Sequence, residues 1–147
     1  MILGICAEDN LTLIMVNGNT DYGIVNEVLN SLSDIGINPK PFFSVSGFGA
    51  CMSMLFCIKD SELCATLEVL GRLKDRYSDL YSCVSADITR ITMELDRCGP
   101  EKIIDALKNQ NISIKLMHTS NGSIDIFTPG GNTGRALKIL DKLKSNS

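Results

Sequence analysis

Few side chains in this sequence could do covalent chemistry, and their spacing points toward holding a ligand more than transforming one. Cysteines stand at Cys6, Cys51, Cys57, Cys64, Cys83 and Cys98, with no C-x-x-C pair, and His118 is the single histidine, so zinc-site spacing is missing. Cys57 sits in Met54-Leu55-Phe56-Cys57-Ile58, and among such apolar neighbours a cysteine is expected as a small core residue. His118 has no obvious nucleophile or second histidine to work with, so no catalytic role is expected of it. Pro129-Gly130-Gly131-Asn132-Thr133-Gly134 precedes a helix but lacks the Lys-Ser/Thr of a Walker motif, which leaves a turn followed by a helix cap. The segment Asn19-Thr20-Asp21-Tyr22-Gly23-Ile24 has more to offer. It opens a helix, whose first amides carry partial positive charge, and it adds carboxylate, amide and hydroxyl groups beside them. Asn38, Ser44 and Ser46 follow on the next strand. Asn, Thr and Asp before a helix are also ordinary capping residues, so both uses stand open.

The elements that position these groups come twice. Val69-Leu70-Gly71-Arg72-Leu73-Lys74 reads against Ile139-Leu140-Asp141-Lys142-Leu143-Lys144 at an offset of 70. Val28-Leu29 and Leu32 read against Ile103-Ile104 and Leu107, and Ile37 against Ile112, at 75; Leu11-Thr12-x-Ile14 reads against Ile88-Thr89-x-Ile91 at 77. The offset changes only between elements, as it does when a small domain is duplicated and its loops drift in length.

In the first copy a strand over 11–16 leads to a helix over 22–35, with Ile24, Val28, Leu32 and Ile35 on one face. Gly36 ends it as a left-handed cap. A second strand opens at Ile37-Asn38 and runs toward Val45, and its Pro39 and Pro41 place it at an edge. A turn at 46–49, a strand over 51–58 and a helix capped by Asp60 or Ser61 follow, carrying Leu63, Leu67, Leu70 and Leu73. A strand near 81–84 closes the copy. The second copy repeats the order with a strand over 88–95, a helix from Gly99-Pro100 to about Gln110, and a strand over 112–119. An Asn121-Gly122 hairpin, a strand over 123–128 and a helix capped by Asn132 or Thr133 complete it. Each copy is β-α-β-β-α and needs one more strand. The second has run out of chain, so Ile2-Cys6 is expected to supply it, which inserts the first copy into the second.

Composition limits what such a pair could do. At 147 residues each copy is near the lower size for a stable core, so the two are expected to pack on each other or on a partner. Hydrophobic residues form 44% of the chain and aromatics only 5%, which describes an ordered protein with an aliphatic core. A net charge of −3 without a basic stripe argues against nucleic acid, and no apolar run reaches the length of a membrane span. No signal peptide stands at Met1-Ile2-Leu3-Gly4, which makes the cytoplasm the default location.

The order of elements resembles the paired ACT domains of the regulatory region of aspartate kinases, over essentially the whole chain. The residues that carry this are the leading strand and turn Ile2 to Asn10, the stretch Leu11 to Gly18 with Gly23-Ile24, and Gly36-Ile37-Asn38. Ile88 to Leu95, Asn111-Ile112-Ser113-Ile114-Lys115 and Thr119-Ser120 carry it in the second copy. The resemblance implies an α+β fold of two ferredoxin-like (βαββαβ) ACT domains, residues 11–86 inserted into 1–10 plus 87–147. It implies no catalytic residue, no cofactor and no kinase domain in this chain, but an aspartate kinase catalytic domain or subunit as partner and a homodimer through the ACT domains. It further implies a free amino acid bound at an ACT–ACT interface, in contact with Asn19, Thr20, Asp21, Tyr22, Gly23, Ile24, Asn38, Ser44 and Ser46, with a weaker second site around Ser113, Ile114 and Ser120. Lysine-responsive relatives place an acid two positions after the Asn of G-I-N, where this chain has Lys40. A cation there opposes a lysine ligand, so threonine or another small amino acid is expected ahead of lysine. The alternative is a free-standing ACT sensor serving another enzyme.

Overall fold

The computed structural model describes residues 2–17, 22–46, 51–97 and 99–146, with Tyr22, Val45, Ser46 and Cys51 placed by their backbone alone. Among the described residues six strands and four helices follow one another as β1 (Ile2–Asn17), α1 (Tyr22–Asp34), β2 (Phe42–Ser46), β3 (Cys51–Lys59), α2 (Leu63–Arg76), β4 (Tyr81–Leu95), α3 (Glu101–Asn109), β5 (Leu116–Ser120), β6 (Ser123–Pro129) and α4 (Thr133–Ser145). The fold is α+β. Short 3₁₀ turns, Asp60–Glu62 and Gly130–Asn132, lead into α2 and α4.

The chain divides into two compact units, Leu11–Ala86 and Met1–Asn10 with Asp87–Ser147. We call them the inserted unit and the outer unit. The inserted unit runs β-α-β-β-α-β in the ferredoxin-like order, and the outer unit runs β-α-β-β-α from β4 to α4 with its remaining strand supplied by the start of β1. In the inserted unit the strands lie β2-β3-β1-β4, and in the outer unit β1-β4-β6-β5. The strands near 2–6 and 11–16, and those near 81–84 and 88–95, which the sequence suggests as separate, are each one continuous element, β1 and β4.

Alternation along the strands builds each core. In the inserted unit Ile14 faces Phe56 and Val16 faces Met54 in register, all four fully buried. Val25, Val28, Leu32, Val69, Leu70 and Leu73 come down on them from α1 and α2. In the outer unit Ile91 faces Ile126 and Met93 faces Ile124, beneath Ile103, Leu107, Ala136 and Leu140. Ile2 joins this second core and Ile5 packs against it, so the leading strand serves the outer unit. Each large aliphatic side chain so buried contributes about 1.5–3 kcal/mol.

Several expectations need correction. Ile35 and Leu67 are 46% and 43% exposed. Ile35 lies past the last residue of α1, where the chain is already turning toward Gly36 at φ 81. Leu67 sits at the rim of the buried arc, which Thr66, Val69, Leu70 and Leu73 occupy. Strands β2 and β5 begin at Phe42 and Leu116, four or five residues later than the apolar pattern suggests. Pro39 and Pro41 cannot donate ladder bonds, which explains the first delay; β2 is the outermost strand, as expected of an edge. No side chain caps α2 or α4: the Asp60 carboxylate accepts from Thr12 instead, and the Thr133 hydroxyl reaches Thr89. The four cysteines whose side chains are described are not core residues either. Cys6, Cys64 and Cys83 are exposed and Cys57 is half-buried, because Phe56 and Ile58 take the inward positions of β3 and alternation turns Cys57 outward.

Candidate functional site

In the inserted unit, Asn19, Thr20 and Asp21 lie outside the described residues. Tyr22 is the first residue of α1 and Gly23 is exposed in its first turn. Ile24 is 4% exposed and belongs to the core, so its side chain holds the helix down. Asn38 and Ser44 are exposed. Ser44 pairs with Ser53, which pairs with Asn17, so a row of short polar residues crosses β2, β3 and β1 close to where β1 ends. Ser46 is the last residue of β2, opposite Cys51.

Asn38 does not belong to that end. It follows the C-terminal stop of α1, whereas residues 19–23 lead into its start. Thirteen residues of α-helix at 1.5 Å each separate the two by roughly 20 Å. Asn38 and Tyr22 therefore stand at opposite ends of that helix.

The outer unit repeats this division. Ser113 and Ile114 follow the end of α3; Ser113 is exposed, its carbonyl accepting a 2.8 Å bond from the Thr128 hydroxyl, and Ile114 packs on the core. Ser120 stands at the opposite end, with its Oγ 2.6 Å from Ser123 Oγ. There a cleft of about 270 Å³ opens between the hairpin and the turn after β4, lined by Leu95, Arg97, Pro100, Thr119, Ser120 and Ser123 among others. Leu95 N–H donates to Gly122 O at 2.8 Å, which ties the hairpin to the strand end and forms the floor. Gly99 leaves room for the Glu101 side chain, since a β-carbon there would stand 2.0 Å from Glu101 Oε2. The hydroxyls and single guanidinium of this cleft suit hydrogen bonding to a small polar molecule, and no group of acids, histidines and cysteines fit to hold a metal occurs among the described residues.

Two polar constellations escaped the sequence reading. On the face of the outer sheet away from the helices, Arg90 Nη2 donates to Asp125 Oδ2 at 2.8 Å and Thr92 Oγ1 to Asp125 Oδ1 at 2.6 Å. His118 stands directly across from Asp125 in the β5–β6 register, and Arg90 lies over the Phe127 ring. Burial alone would push the Asp125 carboxyl up, but the bonds from Arg90 and Thr92, with the charges of Arg90 and His118, hold it below the usual carboxylate range. Alternation was the available signal, since it places Arg90 and Thr92 on one face.

The second constellation is a pair of latches. Thr12 Oγ1 donates to Asp60 Oδ1 at 2.6 Å, and its counterpart Thr89 donates to Asp9 Oδ1 at 2.7 Å. The Thr133 hydroxyl lies 2.7 Å from Thr89 Oγ1 and 2.9 Å from Gly130 O. A β-carbon on Gly130 would meet Asp87 Oδ1 at 2.4 Å, so the glycine-rich turn makes room for the chain's own carboxylate. An acid in that place does not invite a phosphate.

No family model matches the sequence, and no curated protein matches it. Solved structures do. The regulatory subunit of aspartate kinase from Thermus flavus superposes with a TM-score of 0.83 over 96% of this chain and 97% of that one, at 19% identity. The ligand-free regulatory subunit from Thermus thermophilus gives 0.81 over the same shares, at 20% identity. The chain has the fold of aspartate kinase regulatory subunits. The regulatory-subunit fold also occurs within the aspartate kinase of Synechocystis, where the match has a TM-score of 0.80 at 17% identity and spans 96% of this chain but 26% of that enzyme. At 147 residues, nearly all of them taken up by that fold, the chain is too short to hold a kinase domain as well.

Proposed function

We propose that this chain is the allosteric regulatory module of an aspartate kinase, that its two units are ACT domains, and that a free amino acid bound between ACT domains controls a kinase catalytic domain or subunit. The observation that carries this reading is the end-to-end likeness to regulatory subunits, which covers 96% of this chain and 97% of theirs. The place of Ile2 in the outer core favours it over a free-standing sensor of another enzyme, because the leading strand then completes the second ACT domain as the inserted arrangement requires.

The effector site of this reading joins the loop 19–24 and Ser46 of one copy to Asn38 of another, since the length of α1 keeps these groups apart within one unit. A homodimer is therefore part of the mechanism. The helix start offers amides to an α-carboxylate, and Asp21 and Asn38 offer acceptors to an α-ammonium. Exposed Lys40, two residues from Asn38, disfavours a lysine side chain, which leaves threonine or another small amino acid as the effector. Control equals the difference in ligand affinity between two arrangements of the assembly.

Calorimetric titration of the purified chain with threonine, methionine, lysine and other free amino acids tests this. Saturable binding of one of them, lost in both D21A and N38A, is expected. Silence across the panel, or a monomer at micromolar concentration, would refute the site.

A further inference from the structure

The last strand of the inserted unit is the stretch 81–86 at the start of β4. β1 lies on one side of it. On the other side β6 pairs with β4 from Ile88 to Glu94, so among the described residues no strand neighbours 81–86 there. Its side chains are uncovered as well: Tyr81 is 58% and Val84 39% exposed, and Ser82, Cys83 and Ala86 are exposed beside them. None of these six residues carries a charge. The equivalent stretch of the outer unit, 4–9 at the 77-residue offset that relates Thr12 to Thr89, carries Glu8 and Asp9. Charges are a common means by which a sheet edge refuses a further strand, and this edge lacks them.

A groove of about 330 Å³ runs between this edge and α2, lined by Leu67, Leu70, Gly71, Leu80, Tyr81 and Ser82 among others. The outer unit shows how the same place is filled. Leu137, the counterpart of Leu67 at the offset of 70, packs on the outer core, and so does Ile5. At the place of Ile5 the inserted unit has Ser82, which is too short to cover Leu67, and Leu67 stays 43% exposed. Gly71 stands where the outer unit has Asp141, and a β-carbon there would meet nothing within 4 Å. The Lys74 ammonium is drawn onto the turn between α2 and β4, donating to Ser78 O at 2.7 Å and Leu80 O at 2.6 Å. The groove lacks one aliphatic side chain, of the kind a strand delivers in the outer unit.

Alternation from buried Leu80 turns Ser82 and Val84 to the helix side and Cys83 to the other. We propose that 81–86 is a pairing edge for a second copy of this chain, antiparallel and centred on Cys83. In that register Ser82 of one copy lies directly opposite Val84 of the other on the same face, so each copy brings an aliphatic side chain to the groove of its partner. The contact is two-fold and self-complementary, and it sets no charge against its like. It uses none of the residues named for the amino-acid site, so it stands or falls apart from that reading. The two Cys83 residues come to face each other with Cα atoms about 4.5–5.5 Å apart, within the span of a disulfide.

That last feature supplies the test. The full chain is oxidised with diamide at micromolar concentration, and the linked peptides are identified by mass spectrometry. The native chain is expected to give a dimer joined from Cys83 to Cys83. V84K, at an exposed position, should lower the yield of that linkage roughly tenfold. S82E/V84K should restore it, because the new charges of opposite sign face each other across the two copies. A folded native chain without the Cys83–Cys83 linkage would overturn the pairing and leave the edge to a strand of another protein. A linkage that V84K leaves undiminished, or that S82E/V84K does not recover, would overturn it too.

Discussion

Asp125 shows what a strand does for a charged residue. Its carboxylate takes bonds from Arg90 and Thr92 on the neighbouring strand, while its own side chain is 11% exposed and that of Arg90 is 40% exposed. Because the folded-state pKa lies below the unfolded value, the carboxylate stabilises the fold when ionised. That contribution is complete above the unfolded value near pH 4 and is lost as the pH falls through the depressed folded value. D125N should therefore lower stability at pH 7 by about 2 kcal/mol, the usual size of hydrogen bonds to a charged group. Its difference from the native chain should shrink toward pH 3, and urea titrations at the two pH values check both statements. Lys40 belongs to the same scale, as an exposed cation beside Asn38. On the proposed effector reading K40E should raise the affinity for lysine about tenfold relative to threonine, a change of about 1.4 kcal/mol; competition calorimetry would detect it, and no change would remove Lys40 from the site.

At the scale of elements, the repeat is written most clearly in the helix stops. Ile37 N–H reaches Leu32 O at 2.9 Å and Gly36 N–H reaches Ser33 O at 3.0 Å. Seventy-five residues later Ile112 N–H reaches Leu107 O at 3.0 Å and Asn111 N–H reaches Lys108 O at 2.9 Å. These are two Schellman stops, each burying the residue pair that brackets it, Leu32 with Ile37 and Leu107 with Ile112. Gly36 and Asn111 are left-handed at φ 81 and 55, so G36A should cost about 1 kcal/mol while N111G should be neutral or slightly stabilising. Denaturant midpoints measured side by side decide this. Helix faces were less legible than helix stops. Leu67 and Leu70 look alike in the sequence, yet L70A should cost about 2–4 kcal/mol and L67A well under 1. Periodicity gives the centre of a buried arc, and its rim depends on what the neighbouring strand covers. The starts of β2 and β5 were misjudged for a related reason, since an apolar stretch after a helix stop can pack on the core without joining a ladder, as Ile37, Ile112 and Ile114 do.

At the scale of the whole molecule, two cores share one chain that crosses between them twice. No described helix is long and apolar enough to cross a membrane. If the effector site needs groups from two copies, binding must depend on assembly. Dilution below the dimer dissociation constant should then abolish effector binding, and the effector in turn should tighten the dimer; sedimentation with and without the bound amino acid checks that linkage. By itself the sequence determined the order of the elements and their duplication. Those features rest on local periodicity and on offsets that survive loop changes. Only the tertiary structure decided that Arg90, Thr92 and Asp125 meet, that Thr12 and Thr89 are latched to Asp60 and Asp9, and that Asn38 stands a helix length from Tyr22. Partners 33 to 80 residues apart are chosen by strand register and sheet order, and no stretch of sequence short enough to read by its period contains them.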